Sequence, residues 1–398
     1  MGRRAGRTAD LSAGRRWTRR SPVVGRRRPR RLRLLIVTAR YLPFTGGVEL
    51  HVNEVSRRLA ERGVAVTILT TDPTGELPPR DEIEGVAVRR VRAWPAERDY
   101  YFAPGVYREI AGADWDLVHV QGYHTFVAPL AMFAAARAGL PYLVTFHAGG
   151  HSSRLRQSVR PLQVALLQPL LSRADRLVAL TRAEVEEYSR RLRVPRDRLV
   201  VIPNGSDLPR DAARSRGSSN GALVASVGRL ERYKGHQRVL AAFPHVLRRR
   251  PDARLWIAGR GPYEDELERL AGELGVAGRV EIRAVPAEDR AGMAEELARA
   301  KVVLLLSEFE TQPMAALEAL AVGCRLIVAE RPGLTQLVED GHARGVPLAT
   351  SPEEVAAAVL EELDKRPVRD PPALPTWDEC ADKLSNLYET VAAARPAS

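Results

Sequence analysis

Cysteine is almost missing from this 398-residue chain: Cys324 and Cys380 are the only two, and they lie far apart. Neither a disulfide framework nor a cysteine-based metal site can be built from them, so a reducing, cytoplasmic setting is expected. Lysine is scarce too, with Lys234, Lys301, Lys365 and Lys383 the only four among 61 basic residues. Such an arginine excess reads as coding composition. No run approaches 18 consecutive apolar residues, which excludes a membrane-spanning helix. The pairs Arg15-Arg16 and Arg19-Arg20 lack the apolar stretch that an export signal requires.

Acidic residues are missing from the start of the chain, where Asp10 alone stands against thirteen arginines in residues 1–33. The whole formal charge of +12 therefore sits there, and the remainder is balanced. A basic charge of this size points to nucleic acid or an anionic membrane. Here the inference attaches only to residues 1–32, expected as an Arg-rich disordered tail that serves, if translated, as a membrane-surface aid. If it is not translated, a start at a non-AUG codon at Val23 or Val24 is the expectation. Nucleic acid is not an expected partner of the body.

What the body does contain is an alternation of short apolar runs and amphipathic segments, the pattern of parallel sheets covered by helices. Leu34 to Thr38 reads as a strand, Tyr41 to Gly47 as a turn, and Val48, Val52, Val55 and Leu59 as one helix face. Further strands are expected at 64–69, 117–120, 142–146, 176–180 and 199–202, closing an α/β doubly wound domain over 33–204. Residues 205–221 read as a linker rich in Gly, Ser and Asp. A second Rossmann-like series follows over 222–366, with strands at 223–227, 255–258, 280–282, 302–306 and 326–329. Pro244 should kink or split its helix 236–250. Residues 367–398 form a Pro-rich crossover and a last helix from Trp377 to about Ala392, returning to the first domain.

In such folds ligands bind at the carboxyl ends of the strands, so the strand-to-helix loops are where chemistry is sought. Thr45-Gly46-Gly47-Val48-Glu49 opens the first helix, and its glycines let backbone N–H groups approach an anion, or simply make a turn. Val227-Gly228-Arg229 runs on to Lys234-Gly235 at the corresponding place in the second domain. Arg229 and Lys234 suit a diphosphate, one as a fork and the other as a point charge; the alternative is a solvated basic loop. In Ser307-Glu308-Phe309-Glu310-Thr311-Gln312-Pro313, Pro313 is placed to open a helix, with Glu310 in the loop before it. Glu318 follows among Leu317, Ala319, Leu320 and Ala321, and a carboxylate so placed needs a partner unless it is an ordinary exposed helix residue. Paired carboxylates can grip sugar hydroxyls.

Together these segments resemble the retaining family 4 glycosyltransferases of the GT-B fold, over about residues 34–392. The E-x7-E signature matches Glu310 and Glu318, G-R-x4-K-G matches Gly228 to Gly235, and G-G-x-E matches Gly46 to Glu49. Ile202-Pro-Asn204-Gly205, Gly259-Arg-Gly261-Pro262 and Thr145-Phe-His147 add to the match. The resemblance implies a hexose moved from a nucleotide-diphosphate sugar to a glycan, lipid-linked or small-molecule acceptor, with the anomeric configuration retained. It implies that Arg229 and Lys234 hold the diphosphate, Glu318 the ribose and Glu310 the transferred sugar. Gly46 and Gly47 would line the phosphate and sugar region, and His147 would face the reacting carbon or, alternatively, be a satisfied buried histidine. A UDP- or GDP-linked donor is expected, without a metal. Thr311-Gln312 stands where the family has Gly-Phe, which should reshape the sugar pocket.

The alternatives are a nucleotide-sugar epimerase of the same architecture and a sugar-binding protein without catalysis. Arg154 to Arg173 sets arginines beside apolar runs. It suits peripheral contact with an anionic membrane or, alternatively, a core helix pair broken by Pro161 and Pro169 with a basic outer edge.

Overall fold

The computed structural model describes residues 31–394 except 45, 96–101, 148–153, 207, 209–221, 287–288, 366–367 and 369–371. The Arg-rich tail and most of the 205–221 segment fall outside the described residues. In the first half lie β1 (Arg33–Val37), α1 (Gly47–Glu61), β2 (Ala65–Asp72), β3 (Arg80–Ile83), β4 (Val86–Arg92), α2 (Gly105–Ala111), β5 (Leu117–Gln121), α3 (Val127–Arg137), β6 (Tyr142–Thr145), α4 (Arg154–Leu171), β7 (Arg176–Ala179), α5 (Arg182–Arg191) and β8 (Leu199–Val201). Their sheet runs β3-β4-β2-β1-β5-β6-β7-β8 and is parallel apart from the β3–β4 pair.

The second half comprises β9 (Leu223–Val227), α6 (His236–Arg249), β10 (Arg254–Ala258), α7 (Glu264–Glu273), β11 (Val280–Ile282), α8 (Arg290–Arg299), β12 (Val302–Leu305), α9 (Met314–Ala321), β13 (Arg325–Ala329), α10 (Thr335–Glu339), β14 (Arg344–Val346) and α11 (Pro352–Asp364). This sheet runs β11-β10-β9-β12-β13-β14, every pair parallel. The central strands are buried on both faces, as helices on both sides of a sheet demand of runs such as Leu34-Leu35-Ile36-Val37.

Each sheet reverses direction once, and those reversals position the site. In the first sheet β1 lies between β2 and β5, so the loops leaving β1 and β5 diverge to opposite faces and open a crevice. In the second, β9 lies between β10 and β12 with the same result for the loops after β9 and β12. Three of those loops carry Gly46, Lys234 and Glu310, and Gln121 is the strand residue from which the fourth departs.

The last helix, α12 (Trp377–Ala393), returns to the first half as expected. It starts at a capping box between Thr376 and Glu379. Trp377, Leu384, Tyr388 and Val391 pack with Leu34, Ile36, Val52, Val55 and Leu59 in one core. Where the chain crosses between halves, the two crossings touch: the Ser206 N–H donates to the Pro375 carbonyl at 2.9 Å. A Cβ on Gly205 would collide with the backbone of Thr376 and Trp377, so only glycine fits this approach.

Three expectations change. Pro244 does not split its helix; α6 is continuous, with Val239, Leu240, Phe243 and Val246 buried and their packing offsetting the one hydrogen bond that proline removes. Pro161 and Pro169 likewise lie inside a single helix, α4, rather than breaking a pair. Its outer edge is not simply basic, because Leu162 and Leu166 are 58% and 70% exposed. The β3–β4 hairpin and β14, all towards sheet edges, were not anticipated.

Candidate active site

Gly46 is the extended N-cap residue of α1, and Gly47 begins the helix with open space where a Cβ would stand. The Glu49 side chain folds back over Gly46, taking the position a Cβ would need. Burial raises the Glu49 carboxyl above its ordinary range, opposed by its own backbone N–H and by the charges of Arg40 and Arg229. Arg229 belongs to the other half, so the loops after β1 and β9 face one another across the cleft.

In the second half the expected cation and carboxylate meet. Lys234 Nζ donates to Glu310 Oε1 at 2.7 Å, and Ser307 Oγ donates to the same oxygen at 2.8 Å. Both partners are largely buried. Burial, the largest single influence, would push the Lys234 ammonium down, but the charge and hydrogen bond of Glu310 together with Tyr233 outweigh it and the net shift is upward. The lysine is therefore held charged inside the site. Gly235, just after it, has a φ of +80°, and a Cβ there would strike the Leu306 carbonyl. That explains the glycine in G-R-x4-K-G: the loop after β9 must lie directly on the end of β12. Arg229 is more exposed and binds Glu231 at 2.8 Å through Nη2.

Glu318 is 5% exposed within α9, which begins at Met314 with Pro313 as its cap, one residue later than expected. The partner its burial demanded is Arg290, whose Nη2 donates to Oε1 at 2.5 Å from the first position of α8. Nothing in the sequence singles out Arg290 among so many arginines.

His147 lies just past β6 and is 8% exposed. Its Nε2–H donates to Gln121 Oε1 at 2.7 Å, and its backbone carbonyl accepts from His124 Nε2 at 3.0 Å. Burial, and then the neighbouring His51, His119 and His124, hold its pKa well below the ordinary histidine value. His51 from α1 stands edge-on to it, ring centroids 4.9 Å apart, and donates from Nδ1 to Asn204 Oδ1 at 2.8 Å. Asn204 in turn donates its backbone N–H to Gln312 Oε1 at 2.7 Å. Gln312, part of the departure from the family pattern, thus turns its amide to the crossing between the halves. A chain of contacts joins the loop of Glu310 to the ring of His147.

Among the described residues no group of three or more histidine, cysteine or carboxylate side chains could hold a metal ion. No described helix is long and apolar enough to cross a membrane.

Residues 45–210 match the Glycosyltransferase Family 4 domain, and residues 210–372 the Glycosyl transferases group 1 domain. A D-inositol 3-phosphate glycosyltransferase of Nocardiopsis dassonvillei is 30% identical over 393 residues, covering 88% of this chain and 91% of that protein. D-inositol 3-phosphate glycosyltransferase 2 of Catenulispora acidiphila is 31% identical, covering 84% and 87%. Among solved structures, sucrose-phosphate synthase from Thermosynechococcus elongatus superposes with a TM-score of 0.70 at 21% identity, covering 92% of this chain and all of that one. Anabaena HepE in complex with UDP-glucose superposes at 0.65 and 18% identity, covering 91% and 97%. The two matched domains, the order of the motifs and the paired sheets lead to one conclusion: the chain belongs to the family 4 glycosyltransferases and has the GT-B fold.

Proposed function

We propose that the protein transfers a hexose from a UDP- or GDP-linked donor to a hydroxyl acceptor with retention of configuration and without a metal. The observation that carries this reading is the buried Lys234–Glu310 pair at the crevice of the second sheet, with Arg229 beside it and Glu318 on the following helix. A permanently charged lysine suits the negative charge that gathers on a departing diphosphate, and a preorganised charge costs no rearrangement during reaction. Glu310 is then placed for the sugar and Glu318 for the ribose. Gly46 and Gly47 offer backbone donors from the opposite half. In a same-face displacement the bond from C1 to the phosphate oxygen breaks and the acceptor oxygen bonds to C1. The acceptor proton passes to the leaving phosphate, while His147 orients the sugar.

For the acceptor, the names of the relatives favour a phosphorylated polyol such as inositol 3-phosphate. A second reading, contact with a lipid surface, rests on α4. Leu162, Ala165, Leu166 and Pro169 are all exposed along one side of that helix, with exposed Arg173 following. An apolar stripe of this kind, bordered by positive charge, fits an anionic bilayer.

Thermal shift with UDP-, GDP- and ADP-sugars tests the donor, because a ligand at a hundredfold excess over its Kd stabilises the native state by about 2.7 kcal/mol. A rise with one nucleotide class, followed by transfer to inositol 3-phosphate with a retained anomeric signal, is the expected result. No response to any donor overturns the reading. Co-sedimentation with phosphatidylglycerol vesicles, lost in Leu166→Asp, tests the surface.

A further inference from the structure

His147 has two ring nitrogens, and only one can meet a ligand in the cleft. Nε2 is committed to Gln121 Oε1 at 2.7 Å, whereas Nδ1 makes no hydrogen bond among the described residues. An amide oxygen only accepts, so Nε2 carries the proton and Nδ1 is left with its lone pair. What then decides the orientation of the Gln121 amide is a second buried histidine. Gln121 Nε2 donates to His119 Nδ1 at 3.2 Å, and His119 Nε2–H donates to Thr145 Oγ1 at 2.7 Å. The Tyr388 hydroxyl donates to the same His119 Nδ1 at 2.6 Å, from α12 at the far end of the chain. His119 has no exposed surface and Gln121 is 6% exposed, so water cannot exchange freely for any of these partners. With the Gln121 amide in this orientation the directions follow: His147 donates to Gln121, and Tyr388, the nearer donor, shares the one lone pair of His119 Nδ1 with Gln121.

We propose that Gln121 is a positioning residue that fixes His147 in the Nε2–H tautomer, so that Nδ1 faces the cleft as a hydrogen-bond acceptor, with His119 and Tyr388 locking the Gln121 amide. Geometry supports this from three sides. Gln121 ends β5 and Thr145 ends β6, and they are partners in the parallel register, which sets the glutamine amide beside the residue two places beyond Thr145. His51 closes one side of the ring, and His124 holds the backbone carbonyl. The ring can neither tilt nor flip without breaking a buried hydrogen bond and leaving its partner unpaired. Rotating the Gln121 amide by half a turn would reverse the run, make Nδ1 a donor, and change which sugar atom His147 can bind. An acceptor nitrogen suits a sugar hydroxyl; a donor suits a ring or phosphate oxygen. Which tautomer is present is thus a specificity statement.

The inference rests on the reading of His147 as a residue that meets the transferred sugar, and the test separates the two. Full-length protein labelled with 15N-histidine is examined by long-range proton–nitrogen NMR at neutral pH without substrate. The His147 signals are identified by their loss in His147→Asn. The expected result is a protonated Nε2 and an unprotonated Nδ1, kept in Gln121→Glu, which retains an acceptor opposite Nε2. Gln121→Leu should give a mixture of tautomers and a kcat lower by roughly 10- to 100-fold, with donor KM changed far less. Tyr388→Phe, which keeps the packing of α12, should move the same signals in the same direction but less. A protonated Nδ1 in the unsubstituted protein, or an unaltered tautomer in Gln121→Leu, overturns the proposal. If the tautomers behave as stated but His147→Ala leaves kcat and KM unchanged, the role of His147 falls and the positioning by Gln121 stands.

Discussion

At the scale of single residues, the site is a set of charges that satisfy one another before substrate arrives. Lys234 and Glu310 hold each other, and Arg290 holds Glu318. Removing Lys234 or Arg290 therefore leaves a buried carboxylate, Glu310 or Glu318, without its cation, which is costlier than the pair is worth. On the proposed donor site, in which Lys234 meets the leaving group, Lys234→Ala should lower kcat by 100-fold or more, on the order of 3 kcal/mol. With Glu318 on the ribose as proposed, Glu318→Ala should mainly raise donor KM, because such binding is common to ground and transition states. Initial-rate kinetics over a range of donor concentration check both, and unchanged values in the two variants would remove the site assignment. Arg290→Met should resemble Glu318→Ala in KM while lowering thermal stability as well.

At the scale of elements, the sequence was most readable where local pattern decides structure. The buried central strands announced themselves as continuous apolar runs, and the loops after β1, β9 and β12 by Gly46-Gly47, Lys234-Gly235 and Glu310. The edge was not readable: β3 is Arg-Asp-Glu-Ile, a charged hairpin arm whose strand state comes only from pairing with β4. Prolines 161, 169 and 244 misled because packing outweighs propensity once a helix has a buried face. Least readable were partners distant in sequence. Lys234 and Glu310 are 76 residues apart, and His119 and Tyr388 are 269 apart, so no local spacing could announce either bond. Gln312 illustrates the same point: its departure from Gly-Phe was visible, but its partner Asn204, 108 residues away, was not. The strut it forms belongs to an element, the crossing between the halves. Gln312→Ala should leave the melting temperature within about 1–2 °C but raise donor KM, if the strut holds the Glu310 loop against the crossing. Gln312→Glu, which keeps an acceptor for the Asn204 N–H, should restore most of the loss.

For the molecule as a whole, buried titratable groups set how stability depends on pH. His51 and His236 are pushed by burial down to about 4, His119 by burial and the nearby His51 down to about 3, and His147 well below its ordinary value. All four stay neutral in the folded state, whereas in the unfolded chain they gain protons below about pH 6.5. Their contribution is present above that pH and is lost as pH falls towards the folded values, each by about 1.4 kcal/mol per pH unit. Glu184 works in the opposite sense. Burial raises it to about 8, its Oε2 accepting from the Leu180 N–H while Oε1 is buried without a partner. Its contribution is complete below about pH 4.5 and is lost as pH rises through 8. Between 4.5 and 6.5 four histidines outweigh one carboxyl, so stability should climb with pH; above 6.5 only Glu184 of this set still titrates, and the slope reverses. The melting temperature should therefore peak near pH 6.5, fall steeply on the acid side and shallowly up to about pH 8. Glu184→Gln should flatten the alkaline limb and leave the acid limb in place. Calorimetry of both proteins across this range checks the assignment: an alkaline limb that survives in Glu184→Gln would mean that the opposing charge lies elsewhere, and an acid limb absent from both would mean that the four histidines are not held neutral by the fold.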